Sequence, residues 1–165
     1  MRVLGLDYGT KRIGVAVSDE LGFTSQGLAT IARSTKARDI EAVRELAARY
    51  ACETIVVGLP RNMDGSYGGA AGSARRFAGA VARGLGICVE LVDERMTTLI
   101  ANRALLEAGE SRAGRRQLVD RLSAQVILQG YLESIRQKQE NGCPGAHCPS
   151  GERVGPEAGG ENKRA

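Results

Sequence analysis

The stretch Arg2-Val3-Leu4-Gly5-Leu6-Asp7-Tyr8-Gly9-Thr10-Lys11-Arg12-Ile13-Gly14-Val15-Ala16-Val17-Ser18 contains two short apolar runs separated by a polar connection. Arg2–Tyr8 and Ile13–Ser18 read as strands, and Gly9-Thr10-Lys11-Arg12 as the hairpin between them. Side chains alternate across a strand. Val3, Gly5 and Asp7 therefore share one face, and Leu4, Leu6 and Tyr8 the other. Gly22 marks a second turn, and a third strand near Gly27–Ala32 completes an antiparallel meander.

Working outward, the periodicity changes. Ile40, Val43, Ala47 and Tyr50 recur at helical spacing with charges between them. Thr54–Gly58 is a continuous apolar and β-branched run, the mark of a buried parallel strand, closed by Pro60. A loop over Asn62–Gly69 precedes a second helix traced by Ala74, Phe77, Ala78, Val81 and Leu85. Ile87–Val92 is the fifth strand. Helices are predicted over Thr97–Ala108 and Arg116–Lys138, separated by Gly109 to Gly114. The expected fold is α/β: a five-stranded mixed sheet, with a three-stranded antiparallel meander plus two parallel strands and helices on both faces. Ribonuclease H-like domains share this element order, which is an analogy of fold and not of function.

The chain has 165 residues, 42% of them apolar and 25% charged, a composition suited to one globular domain. With no Trp and 4% aromatic content, a stacking platform for single strands is disfavoured. The formal charge of +4 permits a polyanionic partner. No apolar run approaches the roughly 20 residues of a membrane span. The N-terminal apolar stretch stops at Asp7, too early for a signal peptide. A cytoplasmic protein with no membrane partner is expected, and Cys52 and Cys88 read as buried thiols. From Asn141 onward there are six Gly, three Pro and one branched aliphatic residue, Val154. Residues 1–140 are thus expected to form the domain and 141–165 a disordered Gly/Pro-rich tail. Cys143, His147 and Cys148 lie in that tail without the fourth ligand of a structural zinc site.

Three acidic positions stand out. Asp7 ends the first strand, where an acid shortly before Gly9 is common turn chemistry, the structural alternative. Asp93 and Glu94 close the fifth strand, the end at which open α/β sheets place ligands. They point to opposite faces, and spacing does not choose between them. Asp120 falls on the helical arc of Ala124, Ile127 and Tyr131, the face that packs on the sheet. The other side holds Arg121, Gln125, Gln129, Glu133 and Arg136. A core-facing carboxylate needs a partner, either Arg95 or Lys11 in an ion pair, or a cation. Three carboxylates converging at one rim would repel one another unless a divalent cation joined them. Oxygen ligands alone suit Mg²⁺ or Mn²⁺, which support phosphodiester cleavage. The body contains no His, which excludes a histidine-rich zinc hydrolase centre.

Between positions 95 and 121 there are six Arg against three acids. Arg112, Arg115 and Arg116 cluster in the Gly-flanked segment read as a loop before the Asp120 helix. They suit a phosphate backbone held without base reading, and a solvated loop is the structural alternative. Lys11 and Arg12 in the hairpin, Asn62 in the loop after the fourth strand, and Arg95 complete the candidate nucleic-acid contacts.

Four ordered segments carry a resemblance to a known family: Gly5–Asp19; Val57-Gly58-Leu59-Pro60-Arg61-Asn62-Met63-Asp64-Gly65-Ser66; Asp93-Glu94-Arg95 with Thr97-Thr98; and Leu118-Val119-Asp120-Arg121 with Ser123-Ala124 and Ile127-Leu128. Over about residues 1–136 the chain resembles the YqgF (RuvX) family of pre-16S rRNA nucleases and Holliday-junction-resolvase-like proteins. The resemblance implies a ribonuclease H-like fold and metal-dependent cleavage of nucleic acid in ribosome biogenesis. It implies Asp7, Glu94 and Asp120 as catalytic and metal-binding acids, choosing Glu94 over Asp93. Related resolvases take a carboxylate from the end of the fourth strand, which here ends in Leu59-Pro60. Junction resolution in DNA repair, with a homodimer rather than a monomer, is the alternative activity. A non-catalytic RNA-binding assembly factor is the alternative class. Asp7-Tyr8-Gly9-Thr10 also resembles the phosphate hairpin of actin-like ATPases, but those enclose ATP between two such domains.

Overall fold

The alternation in the first strand divides the molecule into two packed layers. The computed structural model describes residues 2–60, 66–94, 112–140 and 153–154. β1 (Arg2–Tyr8), β2 (Arg12–Ser18) and β3 (Ser25–Ala32) form the meander. α1 (Lys36–Arg49), β4 (Cys52–Pro60), α2 (Gly69–Leu85), β5 (Cys88–Glu94), α3 (Arg112–Glu140) and a two-residue β6 (Arg153–Val154) follow. The sheet order is β3-β2-β1-β4-β5-β6. β1, β4 and β5 run parallel, and the β1–β2 and β2–β3 pairs are antiparallel. The expected five-stranded mixed sheet with helices on both faces is present. β6 adds an antiparallel edge, with Val154 opposite Val89 and Arg153 opposite Glu90.

One layer packs Leu4, Leu6, Ile13, Val15, Ile55 and Val57 against α1 and α2. Here Tyr8 stacks on Phe77 with centroids 4.3 Å apart. The other packs Val3, Ala16 and Val56 against Ala124, Ile127, Leu128 and Tyr131 of α3. α3 lies unusually close to the sheet, because glycines form its floor. A Cβ at Gly5 would come within 2.8 Å of Leu128 Cβ, and one at Gly14 within 1.9 Å of the Asp120 carbonyl oxygen.

Two expectations are corrected. α3 begins at Arg112, so Arg112, Arg115 and Arg116 occupy its first turns and not a loop. Arg and Gln favour helix strongly enough to carry it through Gly114. The polar flank of α3 meets β3, where Gln125 Nε2 donates to the Ser25 carbonyl at 3.0 Å and Gln129 Oε1 accepts from the Ser25 amide at 3.0 Å. Cys88 is exposed, because it is the first residue of β5, at the margin of the sheet; Cys52 is buried. The predicted helix over 97–108 lies outside the described residues, as does the tail apart from 153–154. No helix among the described residues is long and apolar enough to cross a membrane.

Candidate active site

The parallel strands β1, β4 and β5 end at one rim, and antiparallel β2 begins there. Asp7 is the penultimate residue of β1 and stands opposite Gly14 in the ladder. The backbone of Asp120 rests directly over Gly14. The absence of a side chain at Gly14 therefore lets a helical carboxylate approach a strand carboxylate across the sheet surface. Ser123, three residues after Asp120 and buried, hydrogen-bonds the Asp7 carboxylate.

The electrostatics reflect this crowding. Burial raises Asp7 to a pKa of about 6, and the charge of Asp120 pushes the same way. The Ser123 hydrogen bond opposes both. Burial also holds Asp120 above its ordinary range, against the pull of Arg12. Arg12 Nη1 lies 3.8 Å from Asp120 Oδ2, too long for a hydrogen bond. Among the described residues the cation beside Asp120 is Arg12, not Lys11, and the pair is loose. Asp120 Oδ2 is buried with no hydrogen-bond partner among the described residues.

The acids of β5 sort by register. Val89 and Leu91 pack in the α1–α2 layer, and Val92 in the α3 layer. Strand alternation puts position 94 on the face of Val92, which is also that of Asp7, and Asp93 on the opposite face. Lys11 is exposed in the hairpin, and Arg12 opens β2. Asn62 and Arg95 lie outside the described residues. Among the described residues no group of three His, Cys, Asp or Glu side chains converges as a metal site. Asp7 and Asp120 are the two carboxylates brought together.

The donor set fits a hard divalent cation. Both groups offer oxygen, both are raised by burial, and one oxygen is buried without a donor. Ser123 and Gly14 are participants that the sequence reading did not single out. Ser123 had a legible signal, since i+3 on a helix faces the same way as Asp120. Gly14 had none, because its role is to leave room for a helix distant in sequence.

The profile of the RuvX family, described as Holliday junction resolvase, matches residues 1–134. A protein of Moorella thermoacetica named "Putative pre-16S rRNA nuclease" is 53% identical over 137 residues, covering 83% of this chain and 98% of its own length. A Myxococcus xanthus protein of the same name is 51% identical over 136 residues, 82% of this chain and 90% of its own. In fold, the chain is similar to T. thermophilus RuvC in complex with Holliday junction substrate. That similarity has a TM-score of 0.53 at 19% identity and covers 83% of this chain and 96% of the other. With a profile spanning most of its length and relatives at half identity, the chain belongs to the RuvX family.

Proposed function

We propose that this chain is a metal-dependent nuclease that hydrolyses phosphodiester bonds in structured nucleic acid, with the end of the 16S rRNA precursor as substrate. The observation that carries the reading is the meeting of Asp7 and Asp120 at one rim, two carboxylates from distant segments in mutual repulsion. The names of the half-identical relatives support the substrate. Asp7 and Asp120 would hold the cation, with Glu94 as third ligand. Bound there, Mg²⁺ or Mn²⁺ supplies activation of water and neutralises charge developing on the phosphodiester.

The chain's own residues do the rest. Ser123 orients the Asp7 carboxylate through its hydroxyl. Arg12 offsets the charge of Asp120 without occupying it and stays available to a phosphate oxygen. Lys11, Asn62, Arg95, Arg112, Arg115 and Arg116 are assigned as contacts to the phosphate backbone of the substrate. Branched DNA is the second reading, favoured by the description of the matching family.

The test is cleavage of a precursor-rRNA fragment and a four-way DNA junction side by side, in Mg²⁺, Mn²⁺ or EDTA. Wild type is compared with Asp7→Asn and Asp120→Asn. Cleavage of the RNA that needs metal and is lost in both variants is the expected result. Preference for the junction selects the second reading. Binding without cleavage, unchanged in the variants, overturns both in favour of an assembly factor.

A further inference from the structure

Arg33 follows β3 directly and lies outside the carboxylate pair, yet its side chain is heavily engaged. Its amide donates to the Lys11 carbonyl at 3.0 Å. Its Nη1 donates to the carbonyls of Gly9 at 3.0 Å and Thr10 at 3.1 Å, and its Nη2 to the Tyr8 hydroxyl. The guanidinium carbon lies 4.2 Å over the Tyr8 ring, which rests on Phe77. On the far side Nε is 3.6 Å from Oδ2 of buried Asp39, whose Oδ1 accepts from the Ser34 amide at 2.9 Å. Every residue from Tyr8 to Lys11 is thus tied to one side chain or its backbone.

A guanidinium has five N–H donors. Three bonds go to Tyr8, Gly9 and Thr10, and Nε faces Asp39, so little remains for a ligand. What Arg33 holds is the link between Asp7 and Arg12. Exposed Lys11 is on that link, and Arg12 immediately after it stands beside Asp120. A connection this short and exposed has few internal ties; the Gly9 amide bonds to the Asp7 carbonyl at 3.2 Å. We infer that Arg33 is a positioning residue: it braces the β1–β2 hairpin between buried Asp39 and the Tyr8–Phe77 stack, and so presents Lys11 and Arg12 to the phosphate backbone of the nucleic-acid substrate. This rests on the proposed function, because it assumes that the hairpin cations meet nucleic acid.

The test is equilibrium binding in EDTA, which does not require turnover. The probes are a labelled precursor-rRNA fragment and a four-way DNA junction, read by anisotropy beside thermal melts. Arg33→Gln, Arg33→Lys and Tyr8→Phe are made in the wild type and in a Lys11→Gln, Arg12→Gln background. Arg33→Gln is expected to weaken binding about tenfold in the wild type, the scale of losing hydrogen bonds from a charged group. In the doubly substituted background it should weaken binding less than about twofold, because its effect passes through the missing cations. The melting temperature should fall equally in both backgrounds. Arg33→Lys should not rescue binding, since one ammonium cannot serve two carbonyls and a phenol together. Tyr8→Phe removes a single hydroxyl, and decides the matter if Arg33→Gln does not fold: its smaller loss should likewise vanish in the doubly substituted background. Equal losses in both backgrounds, no loss at all, or full rescue by lysine would overturn the inference. If Lys11→Gln, Arg12→Gln itself binds like wild type, the hairpin contacts in the proposed function fail, and the role of Arg33 fails with them.

Discussion

Asp7 shows what a charged site demands of a single residue. Its folded-state pKa of about 6 lies above the ordinary 3.8, so the folded chain holds the proton more tightly than the unfolded chain does. Stability is therefore greatest below the ordinary value, falls as pH rises between the two, and stays lowered above about 6. In metal-free protein at neutral pH the full effect is at most about 3 kcal/mol. Asp7→Asn should stabilise metal-free protein by roughly 1–3 kcal/mol at about pH 7.5 and flatten its pH dependence between about pH 4 and 6. It should also abolish cleavage. Urea melts in EDTA across that range, with cleavage assayed in parallel, check both halves. A variant no more stable than wild type at neutral pH would show that burial of the charge carries no penalty. Added Mg²⁺ should raise the wild-type melting temperature and leave that of Asp7→Asn nearly unchanged, since a ligand stabilises only the state that binds it.

At the scale of the element, α3 is defined by how low it sits on the sheet. Its apolar arc was readable from the spacing of Ala124, Ile127 and Tyr131, all buried. Its height depends on Gly14 in another element. Gly14→Ala would drive a methyl into the Asp120 carbonyl, a backbone atom that cannot rotate aside. The helix must lift, at a cost on the order of 3 kcal/mol, carrying Asp120 away from Asp7. Stability and cleavage should fall together, as thermal melts and initial rates will show. Gly130 in the same helix is the contrast: a Cβ there meets nothing within 4 Å. Gly130→Ala should stabilise by roughly 0.5–1 kcal/mol through helix propensity, with cleavage unchanged. The polar flank of α3 teaches a related lesson. Gln125 and Gln129 look like a solvated stripe by pattern, yet they bond the backbone of β3. Hydropathy distinguishes apolar from polar, not water from a strand edge.

For the whole molecule, the question is where the domain ends. All buried apolar residues described lie between Val3 and Leu132. Beyond α3, β6 adds the Val89–Val154 and Glu90–Arg153 pairs at the outer edge of β5 and a small contact with α2. The segment 141–165 carries three acids and three bases, so it adds no net charge. Removing it should leave a cooperative fold, a melting temperature lowered by only about a few degrees, and cleavage intact. The salt dependence of nucleic-acid binding should also be unchanged. Loss of cooperativity on truncation would instead make the edge strand part of the domain.

The strands, the first two helices and the mixed order of the sheet were legible because alternation, helical spacing and turn residues are local properties of the chain. β1 was read to its ends, and the faces of Leu4, Leu6 and Val3 were assigned correctly from alternation alone. Asp7 and Asp120 could each be singled out locally, one at a strand end and one on an apolar arc. Their juxtaposition, the Ser123 bond, the choice of Arg12 over Lys11 and the bracing of the hairpin by Arg33 were decided by the tertiary structure. Each depends on how closely α3 or the end of β3 approaches β1 and β2. That approach is set by packing volume between segments far apart in the chain, which leaves no periodic trace in either one.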